Sequence, residues 1–320
     1  MRTAQQEIDE RTRLAGNNKF ELLLFQLGEA PGSGQRELFG INVFKVREIL
    51  VMPAITELAN SHKHLMGVAN IRGQIIPVIN LPAVLGCNAK KGHTILMVTE
   101  FGRTVQAFAV EDVREIVQLE WSSVLPAEDS HAGSLISGIA RLDGATANTR
   151  LAQVLDVEQI LKMVMPTTSE EVTREVIGPE MSLPPGAMLL AADDSAVARS
   201  VIELGLKAMG IPFIMTKTGK EAWERLEAID AEAKKEGQTA KDRIAVVLTD
   251  LEMPEMDGFT LTRLIKQDPR FKSIPVVIHS SLTGTTNENH VKNVGANGYV
   301  AKFAPRELAA TLRRVLTVAA

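Results

Sequence analysis

The sequence predicts two domains of different fold class: an all-β, barrel-like domain, then an α/β domain with a doubly wound, five-stranded parallel sheet. Three observations carry that expectation. Up to about residue 161, short strand-like runs are separated by glycines and polar turns. From residue 187 onward, strand-like and helix-like patterns alternate. Between them, Pro166 to Gly186 is acidic, carries prolines and has little periodicity, as a linker does. The expected boundaries are 1–165, 166–186 and 187–320.

Residues 1–17 are polar and suggest a helix or a frayed arm, without the apolar core of a signal peptide. Strands are expected at Phe20–Leu27, Glu37–Phe44, Val46–Val51, Met66–Gly73 and Gln74–Leu81. Further strands are expected at Thr94–Val98, Thr104–Val110, Glu115–Val117 and Leu135–Leu142. Leu151–Leu161 reads as a strand running into a short helix.

In the second domain, Ala187–Ala192, Pro212–Met215, Ile244–Thr249, Ile274–Ile278 and Gly298–Ala301 are short apolar runs, the pattern of strands buried on both faces. Helical periodicity fills Ser195–Met209, Gly219–Glu236, Phe259–Gln267, Glu288–Val294 and Pro305–Val318.

The chain has 320 residues, is 45% hydrophobic and 23% charged, and carries a net charge of −4, so its bulk charge gives no reason to expect nucleic-acid binding. The single cysteine, Cys87, permits no internal disulfide and suggests a reducing interior, here the cytoplasm. Its apolar setting suggests a packed thiol rather than a nucleophile. No apolar run reaches the ~20 residues that span a bilayer, so membrane insertion is not expected. No DNA-reading module is expected after the second domain.

The chemistry gathers where parallel strands share an end. The first strand of the second domain ends in Asp193-Asp194-Ser195, the third in Asp250, the fourth in Ser280-Ser281 and the fifth in Lys302. Ligands of open α/β sheets bind at that edge. Crowded carboxylates repel one another, and a hard divalent cation such as Mg²⁺ removes the penalty. A cation beside a carboxylate suits phosphoryl transfer to a carboxylate oxygen, with Lys302 and the Ser280 hydroxyl available to the phosphate. Singly, each piece has a plainer reading: Asp193-Asp194 as helix caps, Lys302 as a solvated lysine, Ser280 as a turn residue.

Together these residues resemble the response-regulator receiver domain, over roughly Ala187 to Ala320. The likeness rests on Asp193-Asp194, on Asp250-Leu-Glu-Met-Pro-Glu-Met-Asp-Gly258, on Pro275-Val-Val-Ile-His-Ser-Ser281 and on Gly298-Tyr-Val-Ala-Lys302. It implies Asp250 as phosphoacceptor, with Asp194, Asp250 and the Glu252 main-chain carbonyl as Mg²⁺ ligands and Asp193 acting directly or through water. It also implies Lys302 and Ser280 as phosphate contacts and Tyr299 as the aromatic that follows the hydroxyl residue, although a half-buried strand residue explains Tyr299 equally well. Two features depart from the family pattern. Ser281 follows Ser280 where Ala is usual, and Phe303-Ala304-Pro305 replaces a proline directly after the lysine.

The first domain shows no catalytic set. His62, His64, His93 and His131 lack metal-ligand spacing. Arg72-Gly73 reads as a hairpin turn presenting a guanidinium. Phe39-Gly-Ile-Asn-Val-Phe-Lys-Val-Arg-Glu-Ile49, Gly67 to Leu81, Gly138-Ile-Ala-Arg-Leu-Asp-Gly144 and Leu151 to Leu161 resemble the chemotaxis coupling protein CheW. That resemblance implies two small barrels that bind chemoreceptors and the histidine kinase CheA, with Val43, Val46, Asn70 and Arg72 as candidate receptor contacts. A coupling domain followed by a receiver is similar to the CheV family of chemotaxis proteins. It implies a cytoplasmic, array-associated adaptor under phosphorylation control, without substrate turnover of its own. A phosphate sink for the kinase is the rival within that pathway. A phosphohydrolase with Asp250 as nucleophile is the rival from another class.

Overall fold

The computed structural model describes residues 19–126, 135–165, 174–281 and 294–319, apart from residues 31, 33, 102, 103, 145, 147 and 303. The expected N-terminal arm, the expected helix Glu288–Val294 up to residue 293, His131 and the first part of the linker lie outside the described residues. These residues divide into two compact units, one within 19–167 and one within 168–320.

The first unit holds two mixed β-sheets. Strands β1 (Lys19–Gln26) and β2 (Leu38–Asn42) begin a six-stranded sheet that β8 (Asp112–Glu120), β9 (Val124–Pro126), β10 (Ile136–Arg141) and β11 (Leu151–Leu155) complete, in the order β8-β1-β2-β11-β10-β9. Between these excursions the chain builds a five-stranded sheet. Strands β3 (Val46–Val51), β4 (Leu65–Ile71), β5 (Gln74–Asn80), β6 (Ile95–Phe101) and β7 (Thr104–Val110) run in the order β3-β6-β7-β5-β4. Each sheet buries its own core, Leu22, Leu24 and Trp121 in the first and Ile76, Val78 and Leu96 in the second. Glu111, where β7 hands over to β8, is buried, pairs with Arg36 and accepts the Lys91 amide at 2.9 Å. Helix α1 (Leu81–Leu85) follows β5, and α2 (Val157–Val164) closes the unit, capped by Asp156, whose side chain accepts from Gln159 N.

The second unit has strands β12 (Met188–Ala192), β13 (Phe213–Thr216), β14 (Ile244–Thr249), β15 (Val276–Ser280) and β16 (Gly298–Ala301), all parallel, in the order β13-β12-β14-β15-β16. Alternate residues of one strand enter different cores. Leu189 and Ala191 join one cluster with Val246, Leu248, Val277 and Val300, while Leu190 and Ala192 join another with Val247 and Val276. That alternation is why the strands read as continuous apolar runs.

Before β12 lies a helical turn, α3 (Arg174–Ile177). Around the sheet lie α4 (Ala196–Ala208), α5 (Gly219–Lys235), α6 (Ala240–Arg243), α7 (Gly258–Gln267) and α8 (Pro305–Ala319). Gly205, inside α4, has open space where a Cβ would sit. Gly205→Ala is therefore expected to stabilise the unit by about 1 kcal/mol through helix propensity, a gain that thermal melting would register.

The segment expected as a linker is in part packed. Ile177 is buried with Leu206, Met209, Leu308 and Leu312, and Met181 and Leu183 lie against the same cluster. Arg313 Nη2 donates to the Pro179 carbonyl at 2.7 Å, and Met181 N donates to Met209 O at 2.8 Å. The stretch from Arg174 to Leu183 thus belongs to the second unit. Three apolar side chains spaced among prolines and acids hold it there together with those two hydrogen bonds.

Candidate functional site

Strand register brings the site together. Ala192 is level with Thr249, Thr249 with Ile278, and Ser280 with Ala301. The residues just beyond these pairs stand in one row along the carboxyl edge. Strand parity then selects a face. Asp193 continues Leu189 and Ala191, Asp250 continues Val246 and Leu248, His279 follows Val277, and Lys302 follows Val300; these apolar residues all belong to one core cluster.

Lys302, at the end of the edge strand β16, reaches along this row to both acids. Its Nζ lies 2.8 Å from Asp250 Oδ2, and 3.2 and 3.1 Å from Asp193 Oδ1 and Oδ2. All three side chains are buried. One oxygen each from Asp193, Asp194 and Asp250 falls within a 4.8 Å cluster, and Asp194 is exposed, so the cluster reaches solvent on its side.

The pKa values of the two buried acids are shifted in opposite directions. Burial pushes Asp250 well above the ordinary carboxylate range. Lys302 opposes that push, and Asp193 and Asp194 add to it. Burial works the same way on Asp193, but there Lys302, and after it His279, prevail and hold the carboxyl below its ordinary range. One lysine therefore leaves the three-acid cluster short of positive charge. The donor set, carboxylate oxygens with an opening to water, fits a hard divalent cation.

Local structure fixes each acid. Asp193 Oδ1 accepts from Ser195 N at 3.0 Å, and Ser195 caps α4 by accepting from Ala198 N at 3.2 Å. Arg199, one turn into α4, donates from Nη1 to the main-chain carbonyls of Asp193 at 2.9 Å and Asp194 at 2.7 Å. Asp250 Oδ1 accepts from Leu251 N at 2.7 Å. The loop beyond turns through Glu255 in the left-handed region (φ 62°), which pairs with Lys220 at 3.1 Å. It ends where Asp257 caps α7 by accepting from Thr260 N. Gly258 then lies directly against Asp250: a Cβ there would sit 1.9 Å from the Asp250 carbonyl oxygen.

Ser280 is fully buried and its carbonyl accepts from Lys302 N at 2.9 Å. Tyr299 is half-buried and packs with Leu251, Phe259 and Ile278, close in sequence to the acid and to Ser280. Glu252 is half-buried in the loop after Asp250. Arg199 and His279 were not singled out from sequence. The signal for His279 was present, a polar residue inside an apolar strand. Arg199 looks like any surface arginine of a helix until the loop folds back over it.

Residues 189–313 match the family model described as "Response regulator receiver domain", and residues 21–165 match "CheW-like domain". Chemotaxis protein CheV3 of Helicobacter pylori is 29% identical over 316 residues, covering 93% of this chain and 95% of that protein. The chain is of the CheV type, a CheW-like domain joined to a receiver domain. Its receiver half is 34% identical to chemotaxis protein CheY1 of the same species, over 40% of this chain and 95% of that one. The coupling half of this CheV-type chain is 29% identical to chemotaxis protein CheW of Klebsiella aerogenes, over 44% of the chain and 81% of that protein. The CheV-type arrangement thus joins a coupling domain to a receiver in chemotaxis signalling.

Within the CheW-like unit, the four candidate contacts divide. Asn70 and Arg72 lie at the β4–β5 hairpin, where Arg72 (φ 52°) and Gly73 (φ 85°) form the turn and Asn70 Oδ1 accepts from Gly73 N at 2.9 Å. The Arg72 side chain is 79% exposed and pairs with Glu48 at 2.8 Å. Val43 and Val46 are buried, 4% exposed each, and are corrected here from contacts to core residues. On β3 the exposed face carries Arg47, Ile49 and Val51, one register step away. His62 and His64 lie in the loop before β4, with ring centroids 5.4 Å apart. Among the described residues, Asp193, Asp194 and Asp250 form the one acidic or histidine group of three within ligand range. Cys87 is half-buried, and burial raises its thiol pKa, in keeping with a packed residue. Among the described residues, no helix is long and apolar enough to cross a membrane.

Proposed function

We propose that this chain is an adaptor that couples chemoreceptors to the histidine kinase CheA and is regulated by phosphorylation of Asp250. The observation that carries the reading is the buried Lys302 ammonium bridging Asp250 and Asp193 at the edge of the receiver sheet, in a chain that also holds a CheW-like domain.

The Asp250 carboxylate oxygen attacks the phosphorus of a phosphohistidine on the kinase, or of a small acyl phosphate. The donor's P–N or P–O bond breaks, its electron pair leaves with the donor, and an aspartyl phosphate forms. Lys302, already within hydrogen-bond reach, supplies fixed positive charge to the phosphoryl oxygens, and the Ser280 hydroxyl donates to one of them. Asp193, Asp194, Asp250 and the Glu252 main-chain carbonyl would hold Mg²⁺, whose charge offsets that of the incoming phosphate. Movement of Ser280 and Tyr299 carries the change to β16 and α8, and from there to the partners of the coupling domain. Asn70 and Arg72 are the candidate receptor contacts. The protein itself works in the cytoplasm, at membrane receptor arrays, and turns over no substrate of its own.

Reconstituted receptor–kinase assemblies test this reading. Adding a phosphodonor is expected to change kinase output when the wild-type protein is present, and to leave it unchanged with Asp250→Asn. Equal responses from the two proteins would leave only a phosphate drain tethered by the coupling domain.

A further inference from the structure

The least expected side chain at the receiver edge is His279. It stands in β15 after Val276, Val277 and Ile278, each 0% exposed, and is itself 3% exposed. An imidazole in such a strand is costly to bury unless a polar group meets it. Asp193 is one polar group that faces it: His279 Nδ1 lies 3.9 Å from Asp193 Oδ2. That approach crosses one strand, since β14 lies between β12 and β15.

The same row explains what the contact does. Lys302 leaves β16 and reaches Asp193, beyond β12, so its arm crosses the ends of β15 and β14. By strand parity His279 is the β15 member of the face that Lys302 crosses. Asp193 is then hydrogen-bonded by Ser195 N at 3.0 Å and paired with Lys302 at 3.1 Å, while the imidazole faces its Oδ2 at 3.9 Å, beyond direct hydrogen-bond distance. An apolar side chain at 279 would take that polar neighbour away from Oδ2 and leave Ser195 N and Lys302 to orient the carboxylate.

We propose that His279 is a positioning residue of the phosphorylation centre, which orients Asp193 and through it sets Lys302 and the cation ligands around Asp250. The proposal rests on the reading of Asp250 as phosphoacceptor, and its test separates the two. Mg²⁺ affinity of the full chain, measured by titration calorimetry without phosphodonor, is compared for wild type, His279→Leu and His279→Gln, each also in an Asp193→Asn background. Melting temperature in Mg²⁺-free buffer and the rate of labelling by acetyl phosphate are read in parallel.

His279→Leu is expected to weaken Mg²⁺ binding about tenfold and to slow labelling by a similar factor. His279→Gln, which keeps an N–H donor, is expected to recover most of both. Neither effect should persist with Asp193→Asn, because the group through which His279 acts is then altered. Three results overturn the proposal: unchanged Mg²⁺ affinity in His279→Leu, a loss that glutamine does not relieve, or a loss that survives in the Asp193→Asn background. The last two would mark a packing role and would track the melting temperature. Absence of Mg²⁺ binding by the wild type overturns it as well. If the wild type binds Mg²⁺ but takes no label, the phosphoacceptor reading fails, while the affinity comparison still decides the role of His279.

Discussion

Lys302→Met is expected to destabilise the receiver unit by about 3 kcal/mol at neutral pH without Mg²⁺, and to abolish phosphoryl transfer. The ammonium is 1% exposed and is bonded to two buried carboxylates, at 2.8 and 3.1 Å. Removing it leaves those acids facing each other in a low-dielectric site. Both carboxyl pKa values then rise, because the cation that opposed burial is gone.

The sign of the pH dependence follows. A carboxyl with a folded-state pKa above its unfolded value binds more protons folded than unfolded, so stability falls as pH rises between the two values. The variant should therefore be steadiest near the ordinary carboxylate range, and lose stability toward neutrality more steeply than the wild type, whose Asp193 is held low. Mg²⁺ should return much of the loss, about 2.7 kcal/mol at a hundred times its Kd. Melting curves from pH 4.5 to 8 (roughly from the carboxylate range to neutrality), with and without Mg²⁺, check each part. A variant that melts like the wild type under every condition would show that Lys302 does not balance the site.

Gly258→Ala carries the second large effect. Gly258 opens α7, where helix propensity alone would favour alanine by about 1 kcal/mol. Contact decides otherwise. The new Cβ would meet Asp250 O at 1.9 Å, Asp250 C at 2.9 Å and Leu251 Cα at 3.1 Å, all backbone atoms that cannot rotate away. Helix and acid loop must separate, at a cost of about 3 kcal/mol and a fall in melting temperature on the order of 10 °C. The separation displaces Asp250, so labelling should be lost even in the folded fraction. The contrast is Gly205→Ala, where no atom lies near and the effect should have the opposite sign. Equal behaviour of the two substitutions would mean that α7 does not bear on the acid loop.

Much of this architecture was legible because the chemistry of the receiver is written at strand ends. Runs such as Ile244–Thr249 are apolar on both faces and stop at a charged residue, so strand, edge and acid are read together. What sequence hid was direction and distance. Val43 and Val46 belong to a family-like motif, but only the pairing of β3 with β6 shows that Val46 points inward and Arg47, Ile49 and Val51 outward. Ile177, Met181 and Leu183 are too sparse for any periodicity, yet they dock on a core supplied by residues up to 139 positions away, at Leu316. Arg199 and His279 act on groups across a loop or a strand, and no local pattern records that. Gly258 could be quoted from its motif, but its necessity rests on the backbone that lies against it.

The central claim is that Asp250 accepts a phosphoryl group with the help of a divalent cation. Its most direct test is intact mass measurement of the full chain after incubation with acetyl phosphate, with and without Mg²⁺, beside Asp250→Asn. The account predicts a gain of one phosphoryl group that requires Mg²⁺ and is absent from the variant. No gain under any condition, or an equal gain in Asp250→Asn, would contradict it and leave a constitutive coupling protein with a silent receiver.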